Sequence, residues 1–523
     1  MLKNLPIGIQ TFERIRTDNY LYVDKTSYVY DLVHSGTQYF LSRPRRFGKS
    51  LLVSTLESYW LGKKDLFQGL AGEDLEKDNP DAWKEYPVFH FDFDKANFKE
   101  HGALEEVIDA HLQEWEKAYD CVNEGKLLSL RFQSLIKNAN KKTGLRCVIL
   151  VDEYDKPLLS VMDDKELEAH NKEVFKGFFT TLKSSDANIK FVFITGVTKF
   201  SKVSIFSDLN HLDDISMSMD YAGICGISEN ELQDYFVPYI QRMSDTQNIT
   251  YEECLSLLKK NYDGYHFFQN SEGVYNPFSL LKALKGKSFG SYWFETGTPT
   301  FLVKKVKSAA IDIRGITNKT LYATDEYLSN YRGDDDDPVP MLYQTGYLSI
   351  SGYDARRRRY TLGFPNDEVK YGFLNCLLPE YVKDTGAGTG KDIFSIDDYA
   401  ENGELDKLRD AFTALFASIP YTTNDAPFEH YFQTVIYLVF TLLGQYVHVE
   451  QHTYTGRIDC IVETDDYVYL FEFKRDGSAD EALAQIAEKG YALPYAADPR
   501  KLYKIGVSFS SESRMLEEWK IEE

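Results

Sequence analysis

The sequence predicts an α/β protein whose N-terminal half is organised around a parallel β-sheet. Apolar segments typical of strands alternate with helical segments over about 20–200, as in a parallel sheet covered by helices. Two segments, CVILVDE at 147–153 and FVFITGVT at 191–198, are apolar up to their polar ends, which is typical of strands buried on both faces. The last hundred residues change character and predict a second, smaller α/β unit.

Composition predicts a soluble protein of the reducing cytoplasm. The chain has 523 residues with 43% hydrophobic and 27% charged content, which fits globular domains. Six scattered cysteines form no C-x-x-C pair, so neither a zinc framework nor a disulfide scaffold is expected. No apolar run long enough for a membrane helix occurs. The net charge of −22 argues against passive coating of nucleic acid or an anionic membrane.

A basic loop follows the first predicted strand of the sheet. The sequence RPRRFGKS at 43–50 places Gly48, Lys49 and Ser50 between a strand and an apolar helical pattern. In a phosphate-binding loop, helix N-terminal N–H groups, a lysine and a hydroxyl meet the phosphates and Mg²⁺. The usual motif has glycine where this chain has Arg43, and an ordinary helix start explains the Gly-Lys-Ser equally well. The loop alone therefore leaves both interpretations open.

A pair of acidic residues favours the phosphate-binding interpretation of the loop. Asp152 and Glu153 end a buried strand about a hundred residues later, where ligands bind in parallel sheets. ATP hydrolysis needs a phosphate cradle, a cation, Mg²⁺ and a group that orients water. We expect Lys49 to supply the cation, Ser50 and Asp152 to hold Mg²⁺, and Glu153 to polarise the water.

Further residues are expected near the nucleotide. Arg45 and Arg46 add positive potential at the loop, although surface solubility or pairing with Asp155 would also explain them. Thr195 or Thr198, at the end of the next buried strand, is expected to sense the γ-phosphate.

Four domains are predicted. Residues 1–225 form the ATPase core, 226–300 a helical lid, 301–415 a mixed connecting region and 416–523 the C-terminal unit. Within the connecting region, the arginine run at 356–359 predicts the basic tip of a hairpin.

The C-terminal unit contains a second candidate site. Asp459 and Glu472 lie on consecutive predicted strands, and Lys474 shares a face with Glu472 because side chains alternate along a strand. Two carboxylates and a lysine can hold Mg²⁺ or Mn²⁺ and orient water for attack on a phosphodiester. An exposed ion pair on a half-solvated sheet is the alternative. Gln485 on the following helix and Glu429 on the preceding one are additional candidates.

The charge of this unit limits what it can bind unaided. Residues 421–523 carry 9 Lys or Arg and 18 Asp or Glu, a net charge of −9. Another region or a partner would therefore have to hold the nucleic acid.

The motifs also carry a family resemblance. The N-terminal motifs LPIG at 5–8, YVDKT at 22–26, RPRRFGKS at 43–50 and VDEYD at 151–155 resemble those of bacterial AAA-ATPase-like proteins, in which such a degenerate phosphate loop is usual. The segment from GRID at 456–459 through EFK at 472–474 to Gln485 resembles their C-terminal PD-(D/E)XK nuclease-like domain, which has the restriction-endonuclease-like fold. The resemblance implies ATP at Lys49, Ser50, Asp152 and Glu153, and Mg²⁺ at Asp459 and Glu472.

The sequence thus predicts an ATP-dependent, Mg²⁺-dependent nuclease or nuclease-like protein of the bacterial cytoplasm. Its expected partner is DNA or RNA, with no membrane, and a homo-oligomer is compatible with the sequence. The alternative is an ATP-driven switch whose C-terminal domain binds without cleaving. A third interpretation is that nucleotide is bound but not hydrolysed. The presence of Glu153 argues against it.

Overall fold

The structure is a computed structural model of the 523-residue chain. It describes residues 2–94, 96–121, 127–200, 212–294, 300–309, 311, 313–317, 319–329, 337–381, 395–396, 398–417, 434–435, 437–439, 441–442, 446–453, 456–510, 512–513 and 515–523. By its internal contacts the chain divides into two units, Met1–Gly297 with Lys319–Val369, and Thr298–Asn318 with Lys370–Glu523. The predicted boundaries at 225, 300 and 415 do not coincide with this division and stay predictions.

Five parallel strands form the sheet of the first unit, which confirms the predicted parallel α/β core. They are β1 Gln38–Ser42, β2 Val88–Asp92, β3 Cys147–Asp152, β4 Ile189–Gly196 and β5 Asp213–Asp214. Their order is β2-β3-β4-β1-β5, and every residue of β3 is buried, as a central parallel strand requires. Because β4 lies between β1 and β3, the phosphate-loop strand and the acid-pair strand are second neighbours.

Helices cover this sheet. In chain order they are α1 Phe12–Thr17, α2 Thr26–Ser35, α3 Lys49–Trp60, α4 Ala71–Leu75, α5 Ala103–Ala118, α6 Leu128–Thr143, α7 Lys156–Leu159 and α8 Lys165–Ser184. The sequence predicts one long helical region at about 102–140, but α5 and α6 are two separate helices. Asp120, two residues after the end of α5, has a φ of +52°, and a left-handed residue ends a helix.

The sequence YLYVDKT at 20–26 predicts a short strand that ends at a helix cap, but the structure differs there. Apart from a bridge between Asn4 and Tyr20, this segment joins no sheet. The Asp24 carboxylate instead accepts from the backbone N–H groups of Thr26 and Ala71. The side chain thus supplies hydrogen bonds that compete with strand pairing.

A mainly helical subdomain follows the core sheet, in the region of the predicted lid. It contains β6 Ile227–Ser228, α9 Glu229–Gln247, α10 Tyr251–Tyr262, β7 Val274–Tyr275 and α11 Pro277–Gly286. The sequence SENE at 228–231 predicts a capping box, and Ser228 and Glu231 form it at the start of α9. Leu232, Phe236 and Leu258 are among the apolar side chains that form the core of this subdomain, since each helix presents its hydrophobic face inward.

The next part of the chain contributes short elements. They are α12 Thr300–Ser308, α13 Ile313–Thr317, β8 Leu321–Ala323, α14 Asp325–Ser329, α15 Val339–Gln344, β9 Ser349–Asp354, β10 Arg359–Gly363 and α16 Asp367–Tyr381. The strands form an antiparallel sheet in the order β8-β10-β9. The arginine run lies at the turn between β9 and β10, which confirms the predicted hairpin tip.

The second unit contains a five-stranded mixed sheet. Its elements are α17 Leu405–Ala417, β11 Tyr446–Thr453, β12 Gly456–Glu463, β13 Tyr467–Arg475, α18 Ala479–Lys489, β14 Lys501–Phe509 and β15 Leu516–Glu522. The sheet order is β11-β12-β13-β14-β15. The segment 502–509 predicts the final strand of this unit. It forms part of β14, but β15 follows it and pairs antiparallel beside it. No helix of the described residues has the length and apolarity needed to cross a bilayer.

Candidate functional site

The first candidate site lies in the loop between β1 and α3. Gly48 is the residue that caps α3, and its φ is +94°, a conformation that side chains with a Cβ adopt only under strain. The loop lines a cleft of about 440 Å³, together with Arg45, Lys49, Ser50 and Glu153 among others. A helix N-terminus facing a cleft is a suitable site for phosphate, because its N–H groups are unpaired within the helix.

Lys49 is held within the loop itself. Its side chain is only 4% exposed, and Nζ donates to the carbonyl oxygens of Arg43 at 3.0 Å and Pro44 at 3.1 Å. These acceptors are neutral, and hydrogen bonds to an ionised acceptor are roughly twice as strong. A phosphate in the cleft would therefore compete well for the ammonium group.

The acid pair meets the loop as predicted. Ser50 lies beside Asp152, whose pKa is raised by burial, while Ser50 and Lys49 oppose the shift. Glu153 has a φ of +52°, and burial raises its pKa too. Mg²⁺ is commonly held by one or two carboxylates plus phosphate oxygens and water. Ser50 and Asp152 fit that role, although the described residues contain no three-ligand His, Cys, Asp or Glu cluster.

The two predicted γ-phosphate sensors differ in their hydrogen bonding. The buried Asp155 carboxylate accepts from the backbone N–H of Val197 at 3.0 Å and from the Thr198 hydroxyl at 2.8 Å. Thr198 is thus hydrogen-bonded to Asp155, and Asp155 binds the backbone that follows β4 rather than a loop arginine. The Thr195 hydroxyl is buried and has no hydrogen-bond partner among the described residues. Thr195 is therefore the better candidate of the two.

Arg45 and Arg46 both line the cleft and are exposed. The Arg46 guanidinium lies 4.9 Å from the ring centroid of Phe278 on α11. The Arg45 carbonyl accepts from the indole N–H of Trp293 at 3.2 Å. These contacts could not be predicted from the sequence, and neither could the position of Lys156, a further cation that lines the cleft.

Arg43 explains the missing glycine of the loop. Its side chain is 1% exposed and donates to the carbonyl oxygens of Ser42, Ser216 and Tyr221 at 2.8–3.0 Å. The guanidinium also lies 4.0 Å from the ring centroid of Phe267. Arg43 therefore ties the loop to surrounding segments, a role that glycine cannot fill.

Replacing Arg43 with glycine, which restores the usual motif, is expected to destabilise the protein. The change leaves buried carbonyl groups without donors and opens a cavity, so we expect a loss of about 2–4 kcal/mol in unfolding free energy. Chemical denaturation followed by circular dichroism measures this. The exposed Arg45→Gly is the matched control and should change stability much less. Equal stability of both variants would contradict the anchoring role.

The second candidate site lies on β12, β13 and α18. Lys474 Nζ lies 3.4 Å from Glu472 Oε1, and the Gln485 amide group bridges the two, accepting from Lys474 and donating to Glu472. The Asp459 carboxylate accepts from the backbone N–H of Phe473 at 2.9 Å. The structure therefore brings Asp459, Glu472, Lys474 and Gln485 together. Glu429 lies outside the described residues.

Glu472 has the properties of a metal-binding carboxylate. It is 2% exposed, and its Oε2 is buried without a hydrogen-bond partner in the described structure. Burial and the Asp459 charge raise its pKa to about 7, while Lys474 opposes the shift. A buried carboxylate oxygen without a donor is costly unless a cation meets it. Asp459 and Glu472 thus fit a divalent metal ion.

The raised pKa predicts a pH-dependent stability in metal-free protein. The folded protein binds the Glu472 proton more tightly than the unfolded chain does. The free energy of unfolding therefore falls as pH rises from about 4.5 through about 7. Glu472→Gln cannot ionise, so in EDTA it should be about 1–3 kcal/mol more stable than wild type at pH 8. This difference in the free energy of unfolding should be smaller at pH 5. Urea unfolding at both pH values tests this.

The exposed Glu488→Gln on α18 is the control for that measurement and should show no such pH dependence. A Glu472→Gln effect of equal size at pH 5 and pH 8 would contradict the assigned ionisation.

Comparisons with known proteins cover the two segments of the chain that contain these candidate sites. Residues 6–206 match the family model described as "Predicted AAA-ATPase", and residues 427–519 match the PD-(D/E)XK nuclease superfamily. The chain is 38% identical over 521 residues to a protein of Azotobacter chroococcum mcd 1, described as "Uncharacterized protein in vnfD 5'region", covering 98% of this chain and 97% of that protein. The chain therefore belongs to the family of predicted AAA-ATPase-like proteins that carry a PD-(D/E)XK nuclease superfamily domain at the C-terminus.

Proposed function

We propose that this protein binds and hydrolyses ATP at its N-terminal site and cleaves nucleic acid with its C-terminal site. ATP binding would control access to, or cleavage by, the nuclease-like domain. The observation that carries the cleavage proposal is the convergence of Asp459, Glu472, Lys474 and Gln485 around an unpartnered, buried carboxylate oxygen.

At the ATP site, each residue has a specific task. Gly48 allows the backbone N–H groups of the loop to face the phosphates, and Lys49 donates to the outer phosphate oxygens. Ser50 and Asp152 would hold Mg²⁺, which supplies charge neutralisation to the phosphates. Glu153 orients the attacking water, and Thr195 donates to the γ-phosphate.

At the nuclease-like site, Asp459 and Glu472 would hold Mg²⁺ or Mn²⁺, which supplies Lewis-acid activation of the phosphodiester. Lys474 places its ammonium group beside Glu472 and can stabilise the charge that develops on the phosphate during attack by water. Gln485 contacts both side chains and is a positioning residue, because its amide fixes the distance between them.

A cleavage assay with the full-length protein tests the proposal. Single-stranded DNA, duplex DNA and single-stranded RNA are incubated with Mg²⁺ or Mn²⁺, with and without ATP. We expect cleavage of at least one substrate, altered by ATP, and none by Asp459→Ala. Absence of cleavage under all of these conditions would contradict the nuclease proposal. If nucleic-acid binding then still responded to ATP, the protein would be the ATP-driven switch with a non-cleaving C-terminal domain.

A further inference from the structure

The tip of the β9–β10 hairpin concentrates positive charge on an acidic protein. Residues 349–363 contain four arginines and one aspartate, a net charge of +3, in a chain whose net charge is −22. Arg356, Arg357 and Arg358 are exposed at the turn. Clustering like charges costs self-repulsion, so the cluster needs a reason beyond solubility.

One carboxylate shapes this turn without neutralising it. Asp354 accepts from the backbone N–H groups of Arg356 and Arg357, both at 3.1 Å. It also pairs with the Arg357 guanidinium at 2.9 Å. For Arg356 and Arg358 the described residues provide no ion pair. The turn is therefore held in shape while most of its positive charge faces solvent.

An aromatic surface adjoins the tip. The Arg359 guanidinium lies 3.8 Å from the ring centroid of Tyr322 on β8, and Tyr322 is 47% exposed. The opposite face of the sheet is anchored, since Tyr360 and Leu362 are buried. An anchored hairpin with arginines beside an exposed ring combines phosphate-binding charge with a stacking surface.

We propose that the hairpin tip, residues 356–359, contacts the phosphate backbone of nucleic acid. This rests on the proposed function, which makes nucleic acid the partner, and it supplies what the nuclease-like segment lacks. Residues 421–523 have a net charge of −9, so the binding charge has to come from elsewhere in the protein or from a partner. Contacts to phosphate give affinity without reading sequence.

The test measures binding separately from cleavage. Full-length protein is titrated in EDTA with labelled 30-nucleotide DNA, 30-base-pair DNA duplex and 30-nucleotide RNA over a range of salt concentrations. Replacing Arg356, Arg357 and Arg358 with alanine should weaken binding about tenfold or more at low salt. The slope of log K against log salt should become shallower by about 2–3, since each lost phosphate contact contributes about 0.7–0.9.

Two further variants make the result decisive. Replacing the same three arginines with lysine keeps the charge and should retain most of the affinity. Replacing the exposed Lys137, Lys141 and Lys183 with alanine removes equal charge elsewhere and should leave the slope nearly unchanged. The proposal is overturned if the arginine-to-alanine variant binds like wild type or if wild type binds no probe. It is also overturned if the lysine-to-alanine variant loses as much affinity as the arginine-to-alanine variant. The proposed nuclease activity is judged independently, by cleavage in Mg²⁺ or Mn²⁺.

Discussion

Replacing Lys49 with alanine should reduce ATP turnover by at least about 100-fold, the usual cost of losing one donor to the developing charge. The ammonium group is the cation at the start of α3. Within the described part of the chain it donates to the neutral loop carbonyls of Arg43 and Pro44, so a phosphate can compete for it. Arg45 and Lys156 still line the cleft and continue to attract the nucleotide. We therefore expect kcat to fall more than KM rises.

Phosphate release at saturating MgATP measures the turnover, and a fluorescent ATP analogue measures the binding. Lys64→Ala, at an exposed lysine beyond the end of α3, is the matched control and should behave like wild type. In the cleavage assay, Lys49→Ala should give the ATP-free rate whether or not ATP is added. Undiminished turnover in Lys49→Ala would show that this cleft is not the hydrolytic site.

The sheet and the acid pair could be predicted because local patterns determine them. The uninterrupted apolar run of β3 has the length of a strand and predicts one that is buried on both faces. Asp152 at its end must then lie at the ligand-binding edge of the sheet. The contact between Ser50 and Asp152 follows from that geometry. For the same reason, alternation along β13 correctly placed Glu472 and Lys474 on one face.

Other features depend on contacts between distant parts of the chain, which local patterns do not encode. Arg43 looks like a defect in the loop until Ser216 and Tyr221 provide carbonyl acceptors more than 170 residues away. Asp155 looked like a partner for a loop arginine, but it binds the backbone at the end of β4. Burial of a charged group is decided by such partners, so its role emerges only with the tertiary structure.

Replacing Asp459 with alanine should reduce metal-dependent cleavage by about 10³-fold while sparing ATP turnover. A bound metal ion contributes several kcal/mol to a phosphodiester transition state, and each 1.36 kcal/mol is a factor of ten in rate. Lys474→Ala should reduce cleavage strongly as well, but it should leave metal binding nearly intact because lysine is not a ligand. Gln485→Ala should have a smaller effect, about 10–100-fold, since it acts by positioning Glu472 and Lys474.

Initial cleavage rates and Mn²⁺ titration by calorimetry separate these roles. Asp459→Ala should lose both cleavage and metal binding, whereas Lys474→Ala should lose cleavage alone. Asp465→Ala, in the exposed turn of the same hairpin, controls for removal of a nearby carboxylate and should retain both. Full cleavage by Asp459→Ala would exclude this site as the source of the activity. Equal loss of metal binding in Lys474→Ala would mean that the lysine organises the carboxylates rather than stabilising charge on the phosphate.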